Sequence, residues 1–142
     1  MKENGLLHLR NEEIDKALRE NFRQYFIGNL KRPQETLDYL NLGDLEIGSS
    51  LYQEPKADVP HAHSISSEIL YILKGCYRVL LLESGQEYDI HAGDFFVIPP
   101  QTPYAGKAML PMTQTLFVKT GGNDKMNVTI SEDVTRWMQD FK

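Results

Sequence analysis

The tripeptide His61-Ala62-His63 carries the most chemistry in this 142-residue chain. In an extended segment, side chains at i and i+2 point to the same side, with Cα atoms roughly 7 Å apart. Both imidazoles then converge, a geometry that suits two ligands of one divalent metal. Pro60 immediately before them restricts the approach to the pair. Glu68 follows at the head of an apolar strand, on the face it shares with Leu70 and Ile72. A carboxylate leading an inward row is costly without a partner, and coordination to a metal relieves that cost. Two histidines and one carboxylate form the ligand set of open-site non-haem iron and related centres.

Each of these residues also has a plainer reading. The two histidines could form a surface pair on a loop, and Glu68 an edge charge that discourages sheet pairing. Glu68 and Gly75 downstream favour metal or ligand binding. His8 and His91 read as exposed, His91 beside the turn Ala92-Gly93-Asp94, where Asp94 stabilises the turn. Cys76, the only cysteine, enters an apolar strand and reads as a small buried hydrophobe. Lys107 and Lys119 read first as solvated lysines, and as anion contacts if they line the mouth of a pocket.

The elements that position these residues fall into three zones. From about 11 to 30, Ile14, Ala17, Leu18, Phe22, Tyr25 and Phe26 lie near helical spacing. Asn11 is the expected N-cap, with Glu12 and Glu13 in the first turn and Gly28-Asn29 at the end. From about 36 to 120 the chain reads as short strands: Leu45–Gln53, Ile69–Leu73, Tyr77–Glu83, Glu87–Ile90, Phe95–Ile98, Tyr104–Ala108 and Gln114–Lys119. Turns at Lys74-Gly75, Ser84-Gly85 and Pro99-Pro100 leave no room for crossover helices, so the sheets are expected to be antiparallel. A short helix over about 131–141, capped by Ser131, carries the apolar stripe Val134, Trp137, Met138 and Phe141. Gly121 to Lys125 reads as a polar turn.

Strand parity turns Tyr77, Val79 and Leu81 inward and Arg78 outward, where it would mark a subunit contact. Gln114 is a further inward candidate. Val79-Leu80-Leu81-Leu82 and Phe95-Phe96-Val97-Ile98 are apolar on both faces, so something must cover the second face. The terminal helices or a second subunit would do so, and the expectation is a homodimer.

Length and composition exclude several classes. The chain is long enough for one domain, 1–142, with a real core. One cysteine rules out an internal disulfide and a cysteine-based zinc cluster. A net charge of −5 argues against nucleic acid as a partner. No apolar run spans a membrane, and Met1–Gly5 lacks an apolar leader stretch, so a cytoplasmic protein is expected.

The spacing His61-Ala62-His63, four residues, Glu68, six residues, Gly75 resembles the first motif of the cupin superfamily. Gly93-Asp94, Val97-Ile98-Pro99-Pro100 and Thr102-Pro103 resemble the second. The likeness covers about Gly48 to Lys119. It implies an all-β, double-stranded β-helix (a jelly-roll barrel) flanked by the N- and C-terminal helices. It also implies metal bound inside by His61, His63 and Glu68. The family usually places another histidine after the Thr-Pro pair. Here Tyr104 stands in that position, and no histidine lies beyond His91. Tyr104 would ligate as a phenolate, hydrogen-bond a metal-bound water, act as acid/base, or simply fill the barrel.

The expected activity is metal-dependent chemistry on a small polar molecule, of isomerase, epimerase or lyase type on a sugar or carboxylic acid. Tyr104 and Glu68 are the candidate proton shuttles, and Tyr52, Tyr77 and Gln114 the candidate substrate contacts. Iron, manganese, zinc and nickel are equally compatible. The rival readings are a non-haem iron dioxygenase and a non-enzymatic small-molecule-binding or sensory module.

Overall fold

The computed structural model describes residues 5–142; Met1–Asn4, part of the segment read for a leader, lie outside the described residues. Helix α1 spans Asn11–Glu20 and buries Ala17 and Leu18. Arg10, not Asn11, occupies the cap position, because the Glu13 carboxylate reaches back 2.8 Å to accept the Arg10 backbone N–H.

The helix stops ten residues earlier than its apolar stripe predicts. After Asn21-Phe22 the chain is extended, and Arg23–Ile27 forms strand β1. The spacing of Phe22, Tyr25 and Phe26 suits a helix, but aromatic residues suit a pleated sheet as well. A ready neighbour decides the outcome: β1 pairs antiparallel with β2, Glu46–Tyr52. Alternation along β1 turns Arg23 and Tyr25 into the barrel and leaves Gln24 beneath α1, bonded to the Ala17 carbonyl at 3.2 Å.

The remaining strands are β3 (Lys56–Ala57), β4 (His61–His63), β5 (Glu68–Lys74), β6 (Cys76–Leu81), β7 (Glu87–His91), β8 (Phe95–Ile98), β9 (Tyr104–Ala108), β10 (Thr113–Lys119) and β11 (Lys125–Asn127). All seven expected strands are present, with ends shifted by at most two residues. One sheet runs β1-β2-β10-β5-β8 and the other β11-β4-β9-β6-β7, with β3 on β9. Every pairing between these strands is antiparallel, as the short connections require. Between the sheets lies a core of Tyr52, Leu70, Ile72, Tyr77, Val79, Ile90, Ile98, Tyr104 and Ala108.

Helix α2, Glu132–Gln139, begins at Ser131, whose hydroxyl accepts the Val134 N–H at 3.3 Å. It packs on β3 and β9, whereas α1 packs on β1 and β2. Lys107 is neither solvated nor at the pocket mouth. Its place in β9 turns it outward under α2, where its ammonium donates to the Trp137 and Asp140 carbonyls over the Trp137 ring. Arg78 does point outward but is held within the chain, 2.6 Å from Asp89.

The helices leave the outer face of β5 and β8 uncovered. There Tyr71 pairs laterally with Phe95, and Ile69 with Val97. Phe95 is 66% exposed and Val97 46%. Among the described residues, no helix is long and apolar enough to cross a membrane.

Candidate metal centre

Strand β4 presents His61 and His63 on one side, two residues apart, and β5 presents Glu68 toward them. Their ligand atoms all lie within 4.8 Å of one another. His63 Nε2 is 2.7 Å and His61 Nε2 3.6 Å from Glu68 Oε2. His63 is buried and the other two half-buried.

The second nitrogen of each imidazole is also engaged. His61 Nδ1 sits 2.8 Å from the Val59 carbonyl, and His63 Nδ1 sits 3.2 Å from Asp124 Oδ1. With a metal bound, such acceptors would hold the Nδ1–H tautomer and leave each Nε2, which points to the shared spot beside Glu68, free to ligate it. Three converging ligand atoms of this kind fit a divalent metal of nitrogen and oxygen preference.

Burial would raise the Glu68 carboxyl, but hydrogen bonds from His61 and His63 outweigh it and hold the group well below the usual carboxylate range. Asp124 is likewise held low. Burial opposes its charge, and the Ile65 and Ser66 backbone N–H groups, donating at 2.8 and 2.6 Å, outweigh burial.

Tyr104 lies beside His61 because β9 pairs with β4 in the register His61 to Tyr104. Its hydroxyl is 3.0 Å from His61 Nε2. Burial, followed by the Glu68 charge, pushes the phenol well above its ordinary value, so it is neutral and carries its proton.

The site opens into a cavity of about 590 Å³, a volume ordinary for small-molecule pockets. Tyr52 and Tyr77 line it, and each hydroxyl lies 2.6 Å from Asp58 Oδ2. Gln114 does not line it. β10 pairs with β2 in unbroken register, so simple alternation turns Thr115, Phe117 and Lys119 inward, while Gln114 donates to the Ser49 hydroxyl at 3.3 Å. Lys119 is paired with Glu46 at 2.6 Å. His8 and His91 are exposed, and Cys76 is buried.

Sequence reasoning missed Asp124, Asp58 and Arg23. Asp124 sits in the segment read as a polar turn. The register of β11, Lys125 opposite His63, places it beside the imidazole. Arg23 is on the strand mistaken for helix.

A family model of the cupin domain matches residues 51–109, the stretch holding His61, His63, Glu68 and Tyr104. Residues 51–109 of the chain are thus a cupin domain. Among solved structures the chain is similar to KdgF from Halomonas sp. at 20% identity and TM-score 0.55, covering 72% of this chain and 79% of that one. It is similar to the DMSP lyase DddQ from Ruegeria pomeroyi at 19% identity and TM-score 0.57, covering 75% of this chain and 50% of that one. Oxalate decarboxylase from Bacillus subtilis, described by its Mn(II) centres, matches at 23% identity and TM-score 0.50, covering 65% of this chain and 23% of that one. The chain thus spans half of DddQ and about a quarter of oxalate decarboxylase. No curated protein sequence matches it.

Proposed function

We propose that this cupin holds one divalent metal ion on His61, His63 and Glu68 and acts on a small polar molecule by isomerase, epimerase or lyase-type chemistry. The observation that carries the reading is the convergence of three ligand atoms within 4.8 Å at the wall of a cavity. When bound, the ion would supply Lewis-acid polarisation of a substrate carbonyl or hydroxyl oxygen. Iron, manganese, zinc and nickel all suit the donor set.

The chain's own groups do the rest. Tyr104 holds a proton on a neutral phenol 3.0 Å from His61 Nε2, within reach of a substrate at the site. Tyr52 and Tyr77 orient the ligand with their hydroxyls. Phe22 and Phe117 line the same cavity and exclude water from one side of it. The likeness to a lyase, DddQ, supports the reaction class at the level of fold.

Substrate-dependent uptake of deuterium at a carbon beside a carbonyl tests the reading, with metal-loaded protein in D2O and a panel of sugars and sugar acids. Exchange that disappears in Tyr104→Phe supports it. A second reading, the iron dioxygenase, is favoured by the two-histidine, one-carboxylate set. Oxygen uptake by iron-loaded protein with substrate would select it. Saturable binding with neither exchange nor oxygen uptake would select a binding or sensory module.

The uncovered face of β5 and β8 supports a homodimer, since exposed contiguous apolar surface marks an interaction site. Sedimentation of a monomer at micromolar concentration would refute it. The cytoplasm is the proposed location, because the one buried, unpaired cysteine needs no oxidising compartment.

A further inference from the structure

The cavity's charge is the reverse of the chain's. The protein carries a net −5, yet Arg23, Lys31, Lys56, Lys119 and Lys125 line the cavity against three carboxylates, Glu46, Asp58 and Glu68. Glu46 is already paired with Lys119, Asp58 with Arg23, and Glu68 with the imidazoles. Among the described residues, Lys31, Lys56 and Lys125 have no ion-pair partner. A pocket of this sign concentrates anions.

One wall has more structure than a loose field. Arg23 Nε donates to the Ser50 hydroxyl at 3.0 Å, and Nη2 to the Tyr52 hydroxyl at 3.2 Å and to Asp58 Oδ1 at 3.1 Å. Phe22 and Phe117 rings lie 4.8 and 5.9 Å from its guanidinium carbon. The guanidinium is therefore fixed on one edge, while Nη1 has no acceptor among the described residues. Asp58 Oδ2 takes the protons of both Tyr52 and Tyr77. Each phenol spends its only proton on Asp58, so toward the cavity it can only accept. The Tyr52 oxygen already accepts from Arg23, which leaves the Tyr77 oxygen as the freer acceptor.

We infer that the Arg23–Asp58–Tyr52–Tyr77 wall is a subsite for a small hydroxy acid, with Arg23 Nη1 donating to the carboxylate and the Tyr77 oxygen accepting from a neighbouring hydroxyl. This rests on the proposed function for its setting, a metal across the same cavity, but the wall's own contacts do not include a metal ligand. Arg23 is a specificity-determining residue on this assignment. A neutral polyol leaves its N–H edge without a charged partner, and a keto acid without hydroxyls leaves Tyr77 unused.

The test is calorimetric titration of full-length, metal-free protein with matched pairs: lactate and 1,2-propanediol, tartrate and threitol, gluconate and sorbitol, galacturonate and galactose. At least one acid should bind about tenfold or more tightly than its neutral partner, the scale of a charge-assisted hydrogen bond. Arg23→Gln should bring that ratio to within about twofold. Arg23→Lys keeps a charge for Asp58 but not the planar fork, and should lower the ratio about fivefold while holding the melting profile. The assignment is overturned if no acid outbinds its partner, or if the ratio survives in either folded variant. The double variant His61→Ala/His63→Ala should lose metal and keep the acid preference. A protein that binds no metal yet retains the Arg23-dependent preference sinks the proposed function and leaves the subsite standing.

Discussion

Asp124 Oδ1 lies 3.2 Å from His63 Nδ1, and its other oxygen takes two backbone N–H groups, from Ile65 and Ser66. The carboxylate is anchored before it orients the imidazole. It orients the ring so that Nε2 points to Glu68, and would hold the Nδ1–H tautomer when Nε2 ligates a metal. Asp124→Asn is expected to weaken metal affinity about 10- to 100-fold, the usual effect of removing such a partner. Competitive titration against a fluorescent chelator measures this. Unchanged affinity with an intact fold would make Asp124 a loop anchor only.

Tyr104 is expected to act through its hydroxyl rather than its ring. Tyr104→Phe preserves the ring that packs 4.7 Å from His61. Its melting temperature should therefore stay close to that of the parent. Turnover should fall by about 10²- to 10⁴-fold, the range of general acid–base catalysis, with metal stoichiometry retained. Equal turnover in the two proteins would leave Tyr104 as barrel filling.

Lys107 is expected to be the latch of the C-terminal helix. No residue of α2 is fully buried, so the helix depends on what its end offers. The buried Lys107 ammonium donates to the carbonyl of Trp137 in its last turn and to that of Asp140 at its cap. Lys107→Ala should cost about 1–3 kcal/mol and make the chain after Ile130 sensitive to limited proteolysis well below the melting temperature. Resistance equal to the parent would assign the docking of α2 to Trp137 and Phe141 instead.

Cys76 should be slow to alkylate. Burial, followed by the nearby Asp89 charge, raises its thiol pKa. At a given pH the folded protein therefore holds less thiolate than an unfolded one. Iodoacetamide labelling at about pH 8 should be slower than in denaturant and should still be rising above about pH 9. The sign for stability follows: the unfolded thiol loses its proton first, so folding weakens as pH rises through about 8.5. Labelling as fast as that of a free thiol would contradict the burial.

The convergence of His61, His63 and Glu68 was readable in the sequence because it depends on local parity. His61 and His63 sit two apart on β4, and Glu68 shares an inward face with Leu70 on β5. Those relations need no knowledge of distant pairing. Asp124 was not readable, because its place beside His63 depends on a pairing between β11 and β4, far apart in the chain. Gln114 failed for a related reason, since which face of β10 turns inward is set by its pairing with β2, far away in the chain. Arg23 was hidden by Tyr25 and Phe26, whose spacing fits a helix continuing α1 until β2 offers an edge. The seven central strands were readable because glycine and proline turns bracket them closely.

Elemental analysis of the purified protein, beside Glu68→Gln and His61→Ala/His63→Ala, tests the central claim most directly. The account predicts about one divalent transition-metal ion per chain, lost in the double variant and depleted in Glu68→Gln, with all three proteins folded. A folded parent that takes up no such ion after equilibration with iron, manganese, zinc and nickel would contradict it, as would full occupancy in the double variant.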